Sequence, residues 1–328
     1  MRPHGNHKGQ IAMKCYERIL VCIGKPERDV GMLDYLGTIC RAAATKEIHL
    51  LYVESDEAAV PLYLEDLGLP PAAALEPAKP SGMTLELLHT LATEHFRGHG
   101  QEKIICQVVT GTPLLEILRY GMEHDIDLIV IGRRAGGGLD VAHEATLARR
   151  VTRKATCSVL VLPEQAQYKA DKILVPVRDS ECSANAMEMA CLLATSNHGT
   201  VCCLNVFHVG SGYASIGSTL EEHTAILNTW AERQCQELLR RVNTNGATVI
   251  TKCVPDLYGK PVAIILQEIE NESADFVVIG ARGRTGAAGV LLGNVTEQLI
   301  RQSTVPLLAV KKKGECIGVL RALLTLAE

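Results

Sequence analysis

GTPLLEILRYGMEHDIDLIVIGRR, residues Gly111–Arg134, and GKPVAIILQEIENESADFVVIGAR, residues Gly259–Arg282, align without a gap at an offset of 148 residues and are identical at 9 of 24 positions. Each opens on a glycine followed two residues later by proline. Each then runs through a helical pattern and ends in an aliphatic strand closed by Val-Ile-Gly. The match continues outward. Arg18-Ile19-Leu20-Val21 corresponds to Lys172-Ile173-Leu174-Val175, and Ser158-Val159-Leu160-Val161 to Pro306-Leu307-Leu308-Ala309. Self-similarity at a fixed offset is the mark of duplication. The chain therefore reads as two copies of one domain of about 145 residues, joined at the polar stretch Pro163–Lys169. The boundaries it suggests are an N-terminal extension over 1–14, a first domain over 15–165, a second over 170–312 and a helical tail over 313–328.

Within each copy, short β-branched runs alternate with helical patterns. Strands are predicted at 18–23, 47–53, 103–109, 127–132 and 158–162, and again at 172–177, 200–207, 247–254, 275–280 and 306–310. Helices are predicted between them, among others at Ser183–Ser196, Leu220–Asn243 and Pro261–Asn271. Strands alternating with helices imply parallel βαβ units with right-handed crossovers. The expected fold class is α/β: two tandem doubly wound domains, each with a five-stranded mostly parallel sheet. Ligands bind such sheets beyond the carboxyl ends of the strands, at the point where strand order reverses. The site should therefore follow strands one, two and four of a copy.

Composition fits this reading. Of 328 residues, 47% are hydrophobic but only 4% aromatic, with one Trp (Trp230) and three Phe. Buried parallel strands call for aliphatic residues. So few rings argue against base-stacking or sugar-stacking platforms. The formal charge of −4 argues against a broad nucleic-acid surface. No run of 18 uncharged apolar residues occurs, which argues against a membrane span. The opening Met1–Gln10 is polar, which suggests a cytoplasmic protein. Twelve cysteines contain no C-x-x-C pair. Cys22, Cys106, Cys202, Cys203 and Cys253 lie inside apolar runs, so the thiols read as reduced packing residues.

The stretch after the fourth strand of the second copy carries the chemistry. Gly280-Ala281-Arg282-Gly283 is followed after nine residues by Gly293-Asn294, then by the helical Val295-Thr296-Glu297-Gln298-Leu299-Ile300. In this G-x2-G-x9-G-N pattern the first glycines permit a tight turn and close backbone approach to a ligand. The last pair opens a helix whose free amides and dipole favour an anion. Arg282 and Arg284 add positive charge. Asn294 with Glu297 three residues later also fits a capping box, a purely structural helix start.

This stretch, with Thr304-Val305-Pro306-Leu307-Leu308-Ala309-Val310-Lys311, resembles the universal stress protein family, whose nucleotide-binding members carry G-x2-G-x9-G followed by Ser or Thr. The Val-Ile-Gly ends, the G-x-P before the third helix and the strand-one Ile173-Leu174-Val175-Pro176-Val177 resemble it too. The likeness covers almost the whole chain twice, as in a tandem universal stress protein. It implies an adenine nucleotide alpha hydrolase-like fold and pairing of the two domains through their last strands. It further implies ATP or AMP, with or without Mg²⁺, held in the second copy. By the same resemblance Pro176 and Val177 match the strand-one contacts and Val206 flanks the base. Ile279 and Gly280 match the contacts after strand four, and Gly283, Gly293, Asn294 and Val295 match the phosphate loop. Two positions depart. The family's strand-one Asp falls on Arg178, with Asp179 one place later, and the loop hydroxyl is replaced by Asn294.

Copy one lacks the pattern. Gly132 is kept, but Ala135 stands at the second glycine, and no Gly-Ser, Gly-Thr or Gly-Asn precedes the next helix. Its Gly136-Gly137-Gly138 leaves open a small anion nest. Glu54–Pro80, with five prolines, reads as a surface excursion or lid. Asp140, His143 and Glu144, and likewise His4 and His7, are weak metal candidates. Ile317, Leu320, Leu324 and Ala327 suggest an amphipathic tail helix, docked on its own domain, on a partner or on a membrane surface. The resulting expectation is a nucleotide-binding stress-response regulator, homodimeric and at most a slow ATPase, with an unknown regulatory protein partner. A non-nucleotide interaction scaffold and an adenylate-chemistry enzyme are the alternatives.

Overall fold

The computed structural model describes residues 16–24, 31–33, 35–36, 40, 45–55, 83–96, 103–133, 139–164, 166, 169–210, 219–281 and 292–314, with side chains of the helix at 139–154 described from Leu147 onward. The first half contains β1 (Arg18–Ile23), β2 (Glu47–Ser55), α1 (Leu85–His95), β3 (Lys103–Gly111), α2 (Pro113–Glu123), β4 (Leu128–Arg133), α3 (Leu139–Lys154) and β5 (Ser158–Pro163). The second contains β6 (Lys172–Pro176), α4 (Glu181–Asn197), β7 (Thr200–His208), α5 (Leu220–Arg241), β8 (Thr248–Asp256), α6 (Pro261–Asn271), β9 (Phe276–Gly280), α7 (Asn294–Gln302) and β10 (Leu307–Val310). A helical stretch between β1 and β2 contributes Met32, Leu33, Tyr35 and Leu36 to the core.

The ten strands form one sheet in the order β3-β2-β1-β4-β5-β10-β9-β6-β7-β8. Within each half every pairing is parallel, and the two halves join where β5 runs antiparallel to β10. The two five-stranded sheets are thus one continuous layer. At the seam Leu160 faces Leu308, flanked by Val161 with Leu307 and Val159 with Ala309. Leu160 and Leu308 are equivalent positions of the repeat, 148 residues apart. A pseudo-two-fold axis therefore passes between them.

Both faces of the sheet are covered, so successive strand residues are buried alternately on opposite sides. Ile19, Val21, Ile173 and Val175 join a core with α1, α4 and α5, while Leu20, Leu174, Val277 and Ile279 join another with α2, α3, α6 and α7. Each core spans both halves. The adjacent Cys202 and Cys203 divide between these two faces as strand neighbours must. None of the ten described cysteines is in a disulfide, and none is exposed.

The predicted strands fall within two residues of the observed ones. β2, β3 and β8 each run two residues further than predicted; β2 reaches Ser55, so Glu54 belongs to a strand rather than to the proline-rich excursion. Residues 56–82, His4, His7 and the tail beyond Gly314 lie outside the described residues, as do the side chains of Asp140, His143 and Glu144. No group of acidic, histidine or cysteine residues arranged for a metal occurs among the described residues. None of the described helices is long and apolar enough to cross a membrane.

Candidate functional site

In the second half, strand order reverses between β9 and β6. Three helices start beside the carboxyl ends of these strands. At α4, Ser180 is the N-cap: its hydroxyl accepts from the Ser183 amide at 3.1 Å, and Ser183 Oγ accepts from the Arg178 amide at 3.0 Å. At α6, Pro261 occupies the first turn, where a missing amide costs nothing, after Gly259 at φ +68°. The left-handed backbone there suits glycine. The buried Asp256 carboxylate holds this turn, accepting from the amides of Tyr258 at 3.1 Å and Lys260 at 2.9 Å.

The third helix, α7, begins at Gly293 with no side-chain cap. It is fixed instead by its backbone and by a buried hydroxyl. The Gly293 amide donates to Ala281 O at 2.9 Å, and Thr296 Oγ1 donates to Gly280 O at 3.2 Å. The helix start is thus tied to the end of β9, and among the described residues no side chain caps it. That is the arrangement in which a helix dipole favours an anion.

Between these elements lies a cleft of about 810 Å³, counting its open mouth. Its apolar walls are Val177, Leu204, Val206, Ile265 and Ile279, with Pro176 and Pro261. Its polar end is made by Ser180, Ser183, Gly293, Asn294 and Thr296, with Arg178 exposed at the rim. The cleft offers an apolar slot for a flat group and, beside it, hydroxyls and helix amides for an anionic one. No Asp, Glu or His is among its described lining residues.

Of the sequence candidates, Pro176, Val177, Arg178, Val206, Ile279, Gly280, Gly293, Asn294 and Val295 line this cleft. Asp179 does not: its carboxylate pairs with Arg241 of α5 at 2.7 Å, both side chains being more than half exposed. Arg282 and Gly283 lie outside the described residues. Two local readings are corrected. Asn294 is the first residue of α7 rather than its cap, and its Oδ1 accepts from Gln298 Nε2 at 2.9 Å. Glu297 does not reach back in a capping box but pairs with Arg149 of α3 at 2.8 Å. Gly280 has a packing reason as well. A Cβ there would lie 2.7 Å from the Cys182 carbonyl oxygen, so the close backbone approach at this glycine is that of α4.

Ser180, Ser183, Leu204, Pro261, Ile265 and Thr296 complete the lining and were not singled out from sequence. Signals for four of them were present. Ser180-x-x-Ser183 is an N-cap pattern following a strand, Leu204 shares the face of Val206 at a spacing of two, and Pro261 belongs to the repeated G-x-P.

These features define a duplicated, doubly wound α/β protein with a cleft at the switch point of its second half. The universal stress protein family model matches residues 16–163 and again 169–311. The chain belongs to the universal stress protein family. Universal stress protein MJ0531 of Methanocaldococcus jannaschii is 29% identical over 145 residues, covering 43% of this chain and 82% of that protein. Universal stress protein YxiE of Bacillus subtilis is 26% identical over 153 residues, covering 43% and 99%. The solved structure of a universal stress protein from Archaeoglobus fulgidus superposes with a TM-score of 0.59 at 18% identity, covering 90% of this chain and 98% of that one. That likeness concerns the fold.

Proposed function

We propose that the second domain, residues 170–312, binds an adenine nucleotide, ATP or AMP, and that the protein acts as a cytoplasmic stress-response regulator, with the first domain, residues 15–165, as its structural partner. The observation that carries this is the cleft beside the uncapped start of α7. In this reading the base lies between Val177, Val206 and Ile279. The phosphates meet the amides of α7 near Gly293–Val295 and the hydroxyls of Ser180 and Ser183, with Arg178 at the rim.

Mg²⁺ fits the described residues poorly as a protein-held ion, because no carboxylate lines the cleft and Asp179 is committed to Arg241. A metal arriving with ATP would be held by phosphate oxygens and water.

Mass spectrometry of small molecules released from purified protein, with calorimetric titration of ATP and AMP, tests the proposal. A bound adenine nucleotide, or saturable heat with either one, is the expected result. No released nucleotide and two silent titrations overturn it. The interaction-scaffold reading gains from one observation: Gly280 is required by the packing of α4 whatever the cleft holds. That reading predicts the silent outcome.

A further inference from the structure

The helix that opens on the cleft is held at both ends by the other half of the chain. At its last turn, the buried Arg133 at the end of β4 donates through Nη1 to Arg301 O at 2.8 Å and through Nη2 to Ser303 O. In its first turn, Glu297 accepts from Arg149 Nη1 at 2.8 Å, with both side chains less than a third exposed. Arg149 and Glu297 are equivalent positions of the repeat, 148 residues apart, facing each other across the pseudo-two-fold axis. In a symmetric pair of identical copies this position would meet its own kind. Here it has become a cation in one half and an anion in the other.

The sign matters for the cleft. Glu297 stands three residues after Asn294, close enough to the helix start that an uncompensated carboxylate would oppose an anion bound there. Arg149 supplies the compensating charge, and it comes from the half without the glycine pattern.

We propose that Arg149 of the first domain is a specificity-determining positioning residue of the second domain's cleft: by neutralising Glu297 it lets the start of α7 prefer a polyphosphate over a monophosphate. This rests on the nucleotide-binding reading above. The effect grows with ligand charge, so it separates ATP from AMP, whereas a purely structural loss weakens both alike.

The test is calorimetric titration of the full chain with ATP and with AMP, for wild type, R149A, R149K, E297Q and R149A/E297Q, with thermal melts to confirm folding. In R149A the ratio of ATP to AMP affinity should fall ~5-fold. It should stay near wild type in R149K and return toward wild type in R149A/E297Q. E297Q alone should raise it. If R149A fails to fold, E297Q decides by the same ratio. Folded variants with the wild-type ratio overturn the inference and leave nucleotide binding standing. A wild-type protein that binds neither nucleotide overturns both.

Discussion

The two halves share strand order and register, yet they differ at the residue that follows the glycine of their fourth strand. In the second half this is Ala281, small and buried, whose amide and carbonyl are engaged by Val310 O and the Gly293 amide. In the first it is Arg133, which leaves its own half and caps the end of α7. The reciprocal contact comes from Lys311, whose ammonium donates to Ala155 O at 2.8 Å and to Thr152 O at the end of α3. Duplication has thus kept the scaffold and divided the labour. One copy presents a helix start to a cleft, and the other uses its cations to hold that helix in place.

Four experiments break or sharpen this comparison. The largest effect is expected at the scaffold. Gly280→Val would drive side-chain atoms into the Cys182 carbonyl and should cost about 3 kcal/mol, read as a lower Tm by calorimetry. A melt within a degree of wild type would show that α4 can move aside. Next, Arg133→Ala removes two charge-assisted hydrogen bonds from a buried site and should cost about 2 kcal/mol. An unchanged Tm would mean that the cap at α7 is dispensable. Third, Gly293→Val should leave a folded protein but weaken nucleotide binding at least ~10-fold, about 1.4 kcal/mol, by filling the polar end of the cleft. Undiminished binding would place the ligand elsewhere.

The smallest effect concerns a group found only in the first half. His49 is buried on β2, with Nδ1 2.9 Å from Tyr120 Oη, and its register equivalent on β7 is Cys202. Burial lowers its pKa below the ordinary 6.5, against the opposing effect of its hydrogen bond to the Glu47 carboxylate. The unfolded chain then takes up a proton first as pH falls, so the native state loses stability below about pH 6.5. Compared with wild type, His49→Gln should flatten the decline of Tm between pH 7 and pH 5, by under about 1 kcal/mol. Parallel curves for the two proteins would assign the acid sensitivity to other groups.

The eight inner strands were legible because each is short, aliphatic and largely buried on two faces, so local composition reports the tertiary environment directly. The repeat then supplied their pairing. The apolar walls of the cleft followed from strand ends, as Val177, Val206 and Ile279 show. What stayed hidden depends on residues far apart in the chain. Asp179 looked available until Arg241, 62 residues on, came beside it. Asn294 and Glu297 matched a local capping rule that lost to contacts with Gln298 and Arg149. That last pair left a trace that could have been used: the same repeat position carries opposite charges, which in a two-fold arrangement brings them together.

The seam between β5 and β10 has a consequence for assembly. Each half's last strand is consumed by the other half of the same chain. Its formation is therefore unimolecular, and dilution cannot separate the halves as it separates a dimer. A homodimer of this protein has to use some other surface, the outer edges β3 and β8 being the ones the sheet leaves open. Each paired unit also contains one glycine-pattern loop rather than two. On the proposed reading, nucleotide occupancy of a single unit follows a simple hyperbola, and any steepness in its response comes from contacts between chains.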